Sequence, residues 1–112
     1  MTDMATKIKA EIKEMILAAA GQAVASGAFS AVPLPGFNIE SPADRAHGDF
    51  AVNAAMVWAK ALHRAPRAIA ETLLQNMQPN PLVTKVEIAG PGFINFYLSN
   101  AHYAGVLQAV FS

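Results

Sequence analysis

Phe93, Asn95 and Tyr97 alternate with Ile94, Phe96 and Leu98, the period of a β-strand whose two faces meet different surroundings. With Ile94, Phe96 and Leu98 turned to a core, the other three form an aromatic–amide–aromatic row. Rings of this kind stack on a nucleobase, and a carboxamide offers two donors and an acceptor to its edge. A structural reading stands beside this one: strand aromatics pack under helices, and either face can be the buried one. Asn95 weighs toward the ligand. Strand interiors disfavour asparagine, and a buried amide without partners costs about 1–3 kcal/mol, so an amide exposed between the two rings is expected.

Three further groupings bear on chemistry. His47-Gly48-Asp49 sets an imidazole beside a carboxylate, the pair that general acid–base catalysis uses. Neighbours on a turn rarely converge on one substrate, however, and Gly-Asp ahead of a helical pattern is also a turn-and-cap signal. Lys60, Arg64 and Arg67, with His63 among them, make the basic cluster; phosphate contact is one use for it, and favourable placement of cations at a helix C-terminus is another. Gly90-Pro91-Gly92 has neither a following helix nor a Lys-Ser/Thr pair, so a plain turn fits better than a phosphate loop. His63 and His102 stand apart on helical patterns, and no residues show metal-ligand spacing. No catalytic residue and no metal site is expected.

The elements that must position these residues follow in order. Ile8, Ile12, Met15, Ile16, Ala19, Ala20 and Ala23 recur at three- and four-residue steps and predict an amphipathic helix from Ala5 to about Ala25. Thr2 or Asp3 would cap it, and Gly27 lies near its end. Residues 26–36, with two prolines and two glycines, read as a loop. Residues 37–40 alternate briefly as a short edge strand stopped by Ser41-Pro42. Phe50, Ala54, Val57, Trp58, Ala61 and Leu62 share a helical face, with Asp49 capping or just preceding it. Pro66 suits the first position of the next helix, which carries Ile69, Ala70, Leu73, Leu74 and Met77 and stops at Pro79-Asn80-Pro81. Val83–Ala89 then pairs with Phe93–Leu98 across the glycine–proline turn. A last helical pattern runs from Ala101 to Phe111, with Ser99 or Asn100 as its cap. The whole predicts an α+β fold: a small antiparallel sheet with about four helices packed mostly on one face.

Composition bounds the rest. The 112 residues suffice for one domain with its own core, spanning 1–112. Hydrophobic residues are 54% and charged ones 14%, which suggests a piece that docks on a larger body. Eight basic and eight acidic residues give no net charge, and this argues against a free-standing nucleic-acid binder held by phosphate neutralisation. The absence of cysteine removes disulfides, Cys-ligated zinc and thiol chemistry and is compatible with a reducing cytoplasm. Neither a signal peptide nor a membrane span is evident near the N-terminus. The chain stops in a helical pattern without a closing signal, as a piece of a longer polypeptide would, and a natural C-terminus is the alternative.

Ser-Pro-Ala-Asp-Arg-Ala-His-Gly-Asp-Phe-Ala-Val-Asn at 41–53, Ala-Pro-Arg-Ala-Ile-Ala-Glu at 65–71 and Val-Glu-Ile-Ala-Gly-Pro-Gly-Phe-Ile-Asn-Phe at 86–96 together resemble the N-terminal domain of bacterial arginyl-tRNA synthetase. The resemblance covers nearly the whole chain. It implies an α+β unit in front of a class I catalytic core, reaching the outer corner of arginine tRNA and recognising a looped-out D-loop base. The family's Gly-aromatic-x-Asn strand falls on Phe93 and Asn95, implying stacking by the ring and edge hydrogen bonds by the amide. Asn100 and Tyr103 resemble an Asn-x-x-aromatic arrangement of some members and form a second implied pair. The family's His-Ile-Gly-His and Lys-Met-Ser-Lys type ATP signatures do not occur in these residues. The implied division of labour leaves arginine activation, with ATP and Mg2+, to the catalytic domain of the same cytoplasmic polypeptide. A different reading makes this domain a structural interaction unit that touches RNA only incidentally, and a third makes it a small hydrolase using His47 and Asp49. Exposure of the row at Phe93, Asn95 and Tyr97 discriminates the first two.

Overall fold

The apolar steps of the first segment become helix α1, Met4–Ala25, in a computed structural model that describes residues 4–42 and 48–98. Ile8, Ile12, Ile16, Ala19, Ala20 and Ala23 are buried along one side of it, the stripe that a 3.6-residue period creates. The proline- and glycine-rich segment that follows carries no helix or strand until β1, Ile39–Glu40. The remaining elements are β2 (Phe50–Val52), α2 (Ala54–Leu62), α3 (Pro66–Gln75), β3 (Val83–Ala89) and β4 (Phe93–Leu98). Pro66 opens α3 as its spacing predicted. Three helices, rather than about four, stand among the described residues; the helix expected over 101–111 lies outside them, as do the caps proposed at Thr2, Asp3, Ser99 and Asn100.

The strands form one antiparallel sheet in the order β1-β2-β4-β3, so the fold is α+β, as the pattern predicts. The β3–β4 pairing runs from Val83 opposite Leu98 to Ala89 opposite Phe93, closed by the turn at Gly90-Pro91-Gly92. Phe50, Val52, Ile94 and Phe96 are buried on the inner face, and all three helices contribute to the same core. The rest of the chain therefore covers one side of the sheet.

Two expectations about residues 49–53 are corrected. Phe50 begins a strand rather than the α2 helical face, and the helix starts at Ala54. Asp49 does not cap α2: its N–H donates to Phe96 O at 2.8 Å, and its carboxylate accepts from the Leu98 N–H at 2.9 Å. Two ladder positions of β4 are thereby satisfied. The residue before α2 is Asn53, whose Oδ1 accepts from the Asn38 N–H at 2.7 Å while its own N–H donates to Asn38 O at 3.2 Å. That reciprocal pair ties the end of the loop to the sheet next to β1.

Trp58 secures the loop from the helix side. It is 1% exposed, its Nε1 donates to Pro35 O at 2.7 Å, and Phe37 meets its ring edge-on at 5.5 Å. A buried indole N–H with a partner carries no desolvation penalty, so one side chain fixes a segment that has no secondary structure of its own.

Candidate nucleic-acid interface

Antiparallel partners point to the same side of a sheet, so register alone defines a row across the outer face. Glu40 pairs with Ala51, Ala51 with Asn95, and Asn95 with Glu87. One step along β4, Phe93 lies opposite Ala89; one step the other way, Tyr97 lies opposite Lys85. Ala51 is the short residue of this row, and beside it the surface sinks into a cleft of about 350 Å³ lined by Glu40, Pro42, Ala51, Ala89, Gly90, Pro91, Phe93 and Asn95. Phe93 is 38% exposed at its wall.

The three residues of the predicted row do not share one environment. Asn95 is 4% exposed, which corrects the expectation of an open amide between two rings. Its strand is central, so a neighbour flanks it on each side, and the backbone of Gly48 closes on its Cβ. A methyl group at Gly48, whose φ is +92°, would stand 3.4 Å from Asn95 Cβ and 2.8 Å from Phe96 O. Gly48 therefore serves close approach at a positive φ, and the Gly-Asp pair acts as a clasp on β4. His47 lies outside the described residues.

Tyr97 does not line the cleft. Its hydroxyl donates to Glu87 Oε1 at 3.2 Å, and the Lys85 ammonium sits 4.4 Å from the ring centroid and 3.3 Å from Glu87 Oε2. One face of the ring is thus occupied by a cation. Partial burial and then the Glu87 carboxylate push the Tyr97 phenol above its usual value, while Lys85 and a hydrogen bond with Asn95 pull the other way.

The basic cluster is exposed, and one member reaches the cleft rim. Arg67, in the first turn of α3, donates through Nη1 to Gly90 O at 2.7 Å. The same helix start presses on the turn: a methyl at Gly92, φ +146°, would stand 2.8 Å from Pro66 Cβ and 3.1 Å from Pro66 C. Lys60 and Arg64 lie at the end of α2 and just beyond it, where His63 closes the helix in the left-handed conformation at φ 53°. Neither lines the cleft. Asn100 and Tyr103 lie outside the described residues.

Sequence reasoning missed Glu40, Pro42 and Ala51. Each becomes a site residue only through the pairing of β1 with β2 and β2 with β4, and Phe50–Val52 had been absorbed into a helical pattern. The alternation of Phe50, Ala51 and Val52 ahead of Asn53 was the available signal. Among the described residues no helix is long and apolar enough to cross a membrane.

The family model described as the arginyl tRNA synthetase N terminal domain matches residues 3–98. An arginine–tRNA ligase of Acetivibrio thermocellus is 40% identical over 111 residues, covering 98% of this chain and 20% of its own. One from Dechloromonas aromatica is 47% identical over 100 residues, covering 89% of this chain and 17% of its own. The chain thus spans about a fifth of the length of these curated relatives. Among solved structures, the arginyl-tRNA synthetase of Thermus thermophilus superposes with a TM-score of 0.60 at 25% identity, over 87% of this chain and 15% of that one. That of Plasmodium falciparum gives 0.62 at 18% identity, over 89% and 18%, a likeness of fold alone. With the model matched from residue 3 to the end of β4, the chain belongs to the arginyl-tRNA synthetase N-terminal domain family.

Proposed function

We propose that this domain is the RNA-recognition module of an arginine–tRNA ligase, and that its outer-face cleft takes a looped-out base of the D-loop at the outer corner of arginine tRNA. The observation that carries this reading is that Phe93 and Asn95 line one cleft, with the ring exposed at its wall. Phe93 stacks on the base and Asn95 reads its edge, as a single-stranded base presented to a sheet is usually read. Arg67 stands at the turn end of the cleft for a flanking phosphate, and Lys60 and Arg64 extend that contact. Asn100 and Tyr103 form a second base contact in this scheme, and Tyr97, beside the cleft, is engaged by Lys85 and Glu87.

The parent polypeptide would attach arginine to the tRNA in the cytoplasm, using ATP and Mg2+ held by its catalytic domain, against which this domain docks. Among the described residues no three His, Asp or Glu side chains gather as metal ligands would. This domain would contribute docking and tRNA identity.

The burial of Asn95 favours a second reading, a structural interaction unit in which the amide serves the sheet. Phe93→Ala separates the two, because the ring is exposed and its loss costs little fold stability. In the full-length ligase, base recognition predicts a KM for tRNA raised roughly tenfold, from a stacking contact worth about 1–3 kcal/mol, with arginine-dependent ATP–pyrophosphate exchange unchanged. An unaltered KM, or a selective loss of exchange, would reject base recognition. Asn95→Ala should follow the same pattern with an added loss of stability.

A further inference from the structure

The two rims of the cleft carry opposite charge. At one end Arg67 is hydrogen-bonded to Gly90 O, and Gly90 and Pro91 form that wall. At the other end stands Glu40, exposed on the two-residue edge strand β1. The register fixes where its side chain goes: Glu40 is paired with Ala51 and Ala51 with Asn95, so Glu40 emerges on the same face as the base-reading amide, about 9.6 Å away at two strand spacings. The short Ala51 between them leaves the floor open. Among the described residues, the Glu40 carboxylate has neither an ion-pair nor a hydrogen-bond partner, whereas the other carboxylate of the row, Glu87, is held by Lys85 and Tyr97.

A carboxylate on the rim of an RNA site repels phosphate and can only accept hydrogen bonds. Asn95 lines the same cleft, and its amide oxygen is a second acceptor there. The cleft therefore presents acceptors to whatever edge enters it.

We propose that Glu40 is a specificity-determining residue of the cleft: its carboxylate accepts from the exocyclic amine of the bound base, selecting an amino-bearing base over uracil and orienting the nucleotide with its phosphate toward Arg67. The proposal rests on the base-reading role of the cleft and adds the group that chooses among bases. Glutamate accepting from an amino group is an established pairing at base edges, and hydrogen bonds to an ionised acceptor are stronger than neutral ones. Uracil has no exocyclic amine, so it would set a carbonyl oxygen against the carboxylate.

The test uses the full 112-residue chain, isotope-labelled, titrated by NMR with four D-arm hairpin RNAs that differ only in one loop base, A, C, G or U. The wild-type chain should bind the best amino-bearing hairpin about tenfold more tightly than the uracil hairpin, the scale of one charge-assisted hydrogen bond. Glu40→Ala should shrink that ratio below about twofold while leaving the uracil hairpin bound as well as before or better. Glu40→Gln, which keeps an acceptor and gains a donor, should recover uracil binding. A ratio unchanged in Glu40→Ala, or an equal loss with all four hairpins, would overturn the assignment, the latter pointing to a structural role. Failure of the underlying reading has its own signature: shifts that avoid Phe93 and Asn95 with every hairpin, and binding indifferent to Phe93→Ala.

Discussion

Tyr97 illustrates how a side chain is diverted from the task its spacing suggests. Alternation puts it on the face of Phe93 and Asn95, and that much is readable in the sequence. What diverts it is cross-strand register: Lys85 opposite Tyr97 and Glu87 opposite Asn95 bring a cation over the ring and a carboxylate to its hydroxyl. The phenol is raised above its ordinary value by partial burial and by Glu87. Below the ordinary value of 10.0 both folded and unfolded chains hold the proton, and the contribution to stability is complete. As pH rises beyond it the unfolded chain ionises first, so stability is lost through the folded-state value. Glu87→Gln should bring the Tyr97 value back down and flatten that alkaline loss, whereas Lys85→Ala should raise it further. A tyrosine ring-carbon NMR titration reads both, and a value unmoved by either change would dismantle the network. Asn95 follows the same logic. Its residue type marked it for a hydrogen-bonding role, but its burial depends on lying in a central strand beside Gly48, which no local pattern reveals.

Among the elements, those with strong periodicity and clear punctuation were legible. α1, α3 and the β3–β4 hairpin lie close to where the apolar steps, Pro66, Pro79 and the Gly90–Gly92 turn put them. β2 was not legible, because three residues give only one and a half periods and Phe50 also fits a helical step to Ala54. Losing β2 hid the sheet order and with it the cleft floor. The loop before β1 was recognised as irregular, yet its anchor was visible only in three dimensions: Trp58 reaches Pro35 and Phe37 from a helix that begins about twenty residues later. Trp58→Ala should cost roughly 3–5 kcal/mol, the range for emptying a large buried aromatic site, with the Pro35 carbonyl also losing its donor. Trp58→Phe keeps most of the packing and should cost about 1 kcal/mol more than a pure shape change, for the hydrogen bond. Urea unfolding of both variants checks this. An equal, small loss in the two would mean that the loop is held by other contacts.

At the scale of the whole molecule, charge decides what kind of RNA binding is possible. Eight basic residues against eight acidic ones leave no long-range field to gather polyanion, so affinity must come from the cleft and a few local cations. Arg67 is joined to the turn beside the cleft, and Lys60 and Arg64 are the cations near it in sequence, at the end of α2 and just beyond. Three phosphate contacts, at about 0.7 released counterions each on a single-stranded loop, predict a slope of about −2 for log affinity against log salt. Arg67→Ala should reduce the slope by about one contact and weaken all hairpins alike if, as proposed, it holds phosphate and not base. Phe93→Ala should instead lower affinity at every salt concentration and leave the slope unchanged, since stacking releases no counterions. Fluorescence anisotropy of a labelled D-arm hairpin across a salt series distinguishes the two. A steep slope in the wild-type chain would place the interface on another surface, for a neutral protein can bind steeply with salt only where many cations converge.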